Sequence, residues 1–137
     1  MARRSVHTAY SQVAGYPYST PAFVVPSGHD LVFIQGQVAW NDELRIASTD
    51  IKDQATQVFT NMKGIMESSG GSLDDVVHLL IFMTDIDEFE EVNAVRRDFF
   101  TGELPPSTAV EVPRMVLPEV RLEIHAVGAL SPESAES

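Results

Sequence analysis

The chain has 137 residues, the length of one ordinary domain. Apolar residues (44%) and charged residues (21%) sit near globular averages, which excludes wholesale disorder, a collagen-like repeat and low-complexity sequence. Nine Lys and Arg against 20 Asp and Glu leave a formal net charge of −11; a surface that acidic repels phosphate backbones and anionic lipid, so no nucleic-acid or membrane partner is expected.

No Cys occurs, which removes disulfides, thiolate nucleophiles and Cys-based metal sites. No apolar run approaches the ~18 residues of a membrane span. Met1-Ala2-Arg3-Arg4-Ser5 has no apolar segment behind its Arg pair, so no signal peptide is read and a cytoplasmic location is expected. A single domain over 1–137 is expected, with 1–8 and 130–137 as flexible ends.

Along the chain, Ala22-Phe23-Val24-Val25 is a short apolar run, and Ser27-Gly28-His29-Asp30 reads as a hairpin turn. Leu31 to Val38 is then a strand, in which Gly36 predicts a bulge or a close approach of the backbone to another group. Ile51, Ala55, Val58, Phe59, Met62, Ile65 and Met66 form a helical stripe, with Ser48, Thr49 or Asp50 as its cap and Gly70-Gly71 as its stop. Val76 to Met83 is almost continuously apolar and reads as a strand buried on most of its surface.

A second helix is expected over about residues 86–100, with Phe89, Val92, Val95, Phe99 and Phe100 as its apolar face. Acidic residues crowd its start, and Arg96 and Arg97 come near its end, an order that suits the helix macrodipole. Ser107 to Val112 reads as a strand. Val120 to Val127 alternates strictly, placing Val120, Leu122, Ile124 and Ala126 on one face and Arg121, Glu123, His125 and Val127 on the other. The order β-β-β-α-β-α-β-β predicts an α+β two-layer sandwich. Its second sheet face is left half-apolar and bare, which predicts a homo-oligomer.

The four His, at 7, 29, 78 and 125, show no metal-ligand spacing and read as structural or surface residues, with His125 drawing notice because it shares a strand face with Glu123. Gly70-Gly71 lacks the Gly-Lys-Ser/Thr of a phosphate loop, and no Gly-x-Ser-x-Gly elbow occurs. The acidic residues at 85–91 match a helix start rather than a cation site. Glu123, on the polar side of an apolar strand, faces either solvent or an interface cleft.

Several pieces recur in one order: Gly15-Tyr16-Pro17-Tyr18-Ser19, Ile34-Gln35-Gly36-Gln37-Val38, Gln54 to Gly70 with Asn61-Met62, Val92-Asn93-Ala94 to Phe99-Phe100, and Pro105 to Val112 followed by Leu122-Glu123-Ile124. In this order and spacing the sequence resembles the Rid family (reactive intermediate deaminases, the YjgF type), over about residues 10–128. The resemblance implies a chorismate-mutase-like fold, a mixed, mostly antiparallel sheet with two helices on one face, assembled as a homotrimer with clefts between subunits. It implies hydrolysis of a small-molecule enamine or imine to a carbonyl compound and ammonia, with no metal or organic cofactor.

Carried over by position, the resemblance makes Glu123 the carboxylate that holds the attacking water. It makes Gly36 the glycine whose backbone nears the ligand, and Tyr18 and Asn93 residues of the cleft. Gln35, Ser107 and Thr108 occupy substrate-binding positions. Two departures stand out: Gln35 replaces a small serine, and Ser107 stands where the family pattern Pro-Ala-Arg-Ser has its arginine. That arginine grips a substrate carboxylate, and losing such a pair costs on the order of 2–5 kcal/mol. Arg114 lies too far along to be the same arginine by alignment. Three readings stay open: a hydrolase whose imine has no carboxylate or has it held elsewhere, a non-catalytic trimer binding a small ligand in its clefts, and another chemistry in the same cleft. The net charge argues against the ribonuclease activity described for some members.

Overall fold

The computed structural model describes residues 2–12 and 19–135, the side chains of 134 and 135 excepted. Strands β1 (Arg4–Val6), β2 (Ala22–Val24) and β3 (Asp30–Gln37) precede helix α1 (Ile51–Ser68). Strand β4 (Val76–Met83), helix α2 (Phe89–Phe99), strands β5 (Ser107–Glu111) and β6 (Leu122–Leu130) and a short helix α3 (Pro132–Ala135) follow. The main sheet has the order β3-β6-β4-β5. Its β3–β6 and β6–β4 pairs are antiparallel, and β4–β5 is parallel. The α+β sandwich, with two helices packed on a mixed, mostly antiparallel sheet, is as expected.

The α1 stripe forms because Ile51, Ala55, Val58, Phe59, Met62 and Met66 fall on one helical face, and all six are buried. Asp50 is the cap, its carboxylate accepting from the Asp53 amide at 3.0 Å. Gly70, at φ +97°, ends the helix in the left-handed conformation. The Phe59 ring meets Phe99 at 5.6 Å and Phe100 at 6.0 Å, which joins the two helices.

Three local expectations are corrected. The turn at Gly28 (φ +92°) does not close a hairpin. β2 pairs with β1 and β3 pairs with β6, and Pro26 at the turn has no N–H to donate to a shared ladder. β4 is buried on one face only, through Val76, Leu79, Ile81 and Met83, because both long helices lie on that side. β6 runs on to Leu130, its end pairing with Asp30–Val32. Gly128 interrupts the alternation that marks the strand, and it is needed for space: a Cβ there would lie 2.7 Å from Met66 Cε.

Candidate functional site

The sheet face turned away from the helices is about half apolar. Phe33 is 73% exposed and Leu31 55%. Phe33 lies opposite Val127, and Phe82 opposite Glu123. Glu123 reaches this face because its neighbours Leu122 and Ile124 turn into the core, both fully buried. The β3–β6 register shifts between Ile34 and Gln37, so the bulge expected at Gly36 is present. Glu123 lies over it: a Cβ on Gly36 would stand 2.9 Å from the Glu123 carboxyl carbon and 3.0 Å from its Cγ. Gly36 is thus the space that the carboxylate occupies. Gln35 is exposed on the same bulge, and its carbonyl accepts the Gln37 side-chain amide at 3.0 Å.

Glu123 lines a cavity of about 410 Å³ with Phe82, Val112, Arg114, Met115 and Val116. A carboxylate and a guanidinium therefore share one recess, a pairing that alignment to the family arginine does not reveal. His125 is half-buried on the same face, opposite Leu80. Thr108, exposed on β5, also lies opposite Leu80.

Ser107 belongs elsewhere. It pairs with Leu79, whose side chain is in the core, so Ser107 faces the helix layer. It lines a second cavity of about 520 Å³ with Ser19, Ile86, Phe89 and Ala109, and with Asp87 and Glu90. Its hydroxyl donates to the Pro105 carbonyl at 2.7 Å and accepts from Arg96 Nη1 at 2.8 Å. Asn93 is fully buried and in neither cavity; its Oδ1 accepts from Arg96 Nη2. Asn93 is thereby a partner of the Arg96 guanidinium. Tyr18 lies outside the described residues.

Sequence reading missed Arg96. It is 1% exposed, and burial, followed by the neighbouring Arg97, lowers its pKa to about 10, so it stays a cation at neutral pH. The signal was its spacing: Phe89, Val92, Arg96 and Phe99 fall at i, i+3, i+7 and i+10, so the inward stripe of α2 contains an arginine. Among the described residues, no group of three or more His, Cys, Asp or Glu is placed to hold a metal ion, and no helix is long and apolar enough to cross a membrane. Asp85 caps the turn before α2, its carboxylate accepting from the Asp87 amide at 3.0 Å.

A family model described as endoribonuclease L-PSP matches residues 9–130. A crystal structure of a Yersinia pestis protein, described as of unknown function and of the conserved Rid protein family, superposes with a TM-score of 0.84 at 25% identity, covering 95% of this chain and all of that one. The chain belongs to the Rid family. Another Rid-type fold, the yeast structure described as YEO7, superposes with a TM-score of 0.70 at 33% identity over 86% of this chain and 89% of that one. A RutC family protein of Pyrococcus horikoshii is 37% identical over 81% of this chain and 85% of its own length. A 2-iminobutanoate/2-iminopropanoate deaminase of the mite Dermatophagoides farinae is 35% identical over 70% of this chain and 75% of its own.

Within this Rid chain, the Gly36–Glu123 contact makes a direct prediction. Gly36→Ala forces the carboxylate off the bulge. Any reaction that uses Glu123 is expected to fall ~100-fold, the scale of a 1 Å misplacement, with the far-ultraviolet spectrum unchanged. Unaltered turnover would show that Glu123 need not sit there.

Proposed function

We propose that the protein is a cofactor-free hydrolase of a reactive enamine or imine, working in the clefts of a homotrimer. The observation that carries this reading is Glu123, a carboxylate held over the glycine bulge within a cavity on the open sheet face. The mite deaminase at 35% identity supports the reaction class.

An imine protonated on nitrogen is electrophilic at carbon. Glu123 accepts a proton from a water as that water's oxygen bonds to the imine carbon and the C=N pair moves onto nitrogen. The carbinolamine nitrogen then takes that proton back from Glu123, its C–N bond breaks to release ammonia, and the Glu123 carboxylate accepts the hydroxyl proton as the carbonyl forms. The Glu123 negative charge also favours the iminium in the ground state and while the bond forms.

Glu123 and Ser107 lie on opposite faces of the sheet within one chain, since Phe82 pairs with the first and Leu79 with the second. A ligand touching both must sit between two chains, and the apolar open face supplies the surface on which they would meet. RNA is not the proposed substrate, because the net charge of −11 opposes a polyanion. A second reading, a non-catalytic trimer binding a small ligand, is favoured by the Ser107 hydroxyl, which already has a donor and an acceptor within its own chain.

The test supplies imines from an amino-acid oxidase and from an amine oxidase, and semicarbazide traps what remains. Glu123→Gln and Ser107→Trp are expected to be inactive separately and to regain activity when mixed subunits reassemble, because each mixed trimer contains a cleft with both native residues. Hydrolysis of neither imine by the wild type would overturn the catalytic reading. Absence of rescue in proven mixed oligomers would overturn the shared cleft.

A further inference from the structure

We propose that a polar groove along one flank of α1 is a second ligand site, and that it holds a neutral polyhydroxylated molecule of the sugar class. The groove is a cavity of about 790 Å³ between α1 and the turn at 41–45, a volume suited to a small molecule. It shares no lining residue with the Glu123 cavity or the Ser107 cavity. The proposal is therefore independent of the hydrolase reading.

Three pieces of the chain build the walls. On α1, Gln57, Asn61, Gly64 and Ser68 fall at i, i+4, i+7 and i+11, a polar stripe beside the buried one. Asn61 fixes the width: its Nδ2 donates to the Trp40 carbonyl at 2.8 Å and the Val38 carbonyl at 3.3 Å, and its Oδ1 accepts from Gln57 Nε2 at 2.8 Å. The chain leaving β3 is thereby tied to the helix. Asn41 then closes the turn, its Oδ1 accepting from the Glu43 amide at 2.9 Å and the Arg45 amide at 3.1 Å. At the end of β3, buried Gln37 donates from Nε2 to the Gln35 carbonyl. The walls are therefore set before any ligand arrives.

Gly64 is the residue that points to an occupant. Glycine inside a helix costs stability relative to alanine, and this one has no packing reason. A Cβ on Gly64 would meet nothing within 4 Å, whereas on Gly36, Gly71 or Gly128 it would collide with a side chain. What Gly64 preserves is open floor. Around that floor, Gln37 and Gln57 each offer an Oε1, since their nitrogens are engaged, and Asn41 offers its NH₂, since its oxygen is engaged. Asp42 adds a carboxylate that accepts from two neighbouring hydroxyls. This mixture of fixed donors and acceptors suits hydroxyl groups, which do both, over an ammonium, which only donates. Among the described residues, Asp42 is the one charged side chain lining the groove, so an anion finds no counter-charge in a chain of net −11. Ile65 and the bare Gly64 backbone supply an apolar strip for the C–H face of a sugar ring.

The test is a titration of the intact chain followed in nitrogen–proton correlation spectra, where the side-chain amide of Asn41 reports directly. The probes are ribose and maltose, with ribose 5-phosphate as the anionic counterpart and putrescine as a cation. Saturable shifts of the Asn41 side chain and of the backbone amides around Gly64 are expected with ribose or maltose, and weaker ones with ribose 5-phosphate. Gly64→Leu fills the floor and favours the helix. It is expected to raise Tm while weakening the sugar about ten-fold or more. Asp42→Asn, at an exposed position, is expected to weaken it about ten-fold and keeps the test decisive if Gly64→Leu does not fold. No saturable shift with either sugar, or unchanged affinity in both variants, would overturn the site. Saturation by putrescine alone would overturn the ligand class. Because the titration needs no turnover, sugar binding without imine hydrolysis would leave this site standing and sink the catalytic reading alone.

Discussion

Glu123→Gln is expected to lower imine hydrolysis by about 10²- to 10⁴-fold, the range for removing a positioned general base. The amide keeps the size and shape of the carboxylate, so the contact over Gly36 is preserved and the cavity stays filled. It cannot take a proton from water, and it presents no full charge to an iminium. Glu123 is half-exposed on the open face and its strand neighbours carry the core, so the melting temperature is expected to stay within about 2 °C of wild type. The measurement is paired: initial rates with semicarbazide trapping, and a thermal melt on the same preparation. Wild-type rates in the variant would remove Glu123 from the chemistry. A collapsed melt would show that its role is structural.

Gln54→Leu is expected to produce the largest loss of stability. Gln54 is 1% exposed on α1. Its Nε2 donates to the Ser48 carbonyl at 3.0 Å and to the Glu119 carbonyl at 2.7 Å. Its Oε1 accepts from the Arg121 amide at 2.9 Å. One side chain thus satisfies three backbone groups from two separated segments. Leucine fills the space and satisfies none of them. At about 1 kcal/mol for each of these part-buried groups left without its hydrogen bond, the loss is about 3 kcal/mol, a fall of roughly 10 °C in Tm for a domain of this size. Gln57→Leu is the control: half-buried, Gln57 donates to the Asn61 side chain at 2.8 Å, and a shift of a few degrees at most is expected. Because Arg121 stands two residues before Glu123, Gln54→Leu is also expected to reduce turnover before the domain melts. A melt like that of wild type would mean that water replaces the amide at all three groups.

The parts of the fold legible in the sequence are those with a strong period. Ile51 to Met66 repeats as a helix, Val120 to Ala126 alternates as a strand, and both emerge with those faces buried. The bulge at Gly36 was legible because glycine inside an apolar run needs a reason. The occupant of that space was not, since Glu123 lies on a strand 87 positions further on (123 − 36). Pairing was hidden for the same reason: β2 and β3 are neighbours in sequence, yet their partners are β1 and β6, and a local turn signal carries no information about distant edges. That Ser107 and Asn93 both meet the Arg96 guanidinium was not legible either, because alternation gives the side of a strand but not what stands behind it. Arg96 stayed hidden because an arginine in the last turn of a helix has an ordinary explanation in the macrodipole. Only packing shows that it turns inward.

The bulge at Gln35–Gly36 lies on β3, an outer strand of the four-stranded order β3-β6-β4-β5. An outer strand of even pleat is a template on which a foreign strand can polymerise. Here the irregular step breaks the spacing of the free backbone groups midway along, so an incoming strand finds no continuous ladder to extend. The pocket that seats the carboxylate is therefore also a guard against fibrillar growth, and straightening β3 is expected to endanger solubility along with turnover.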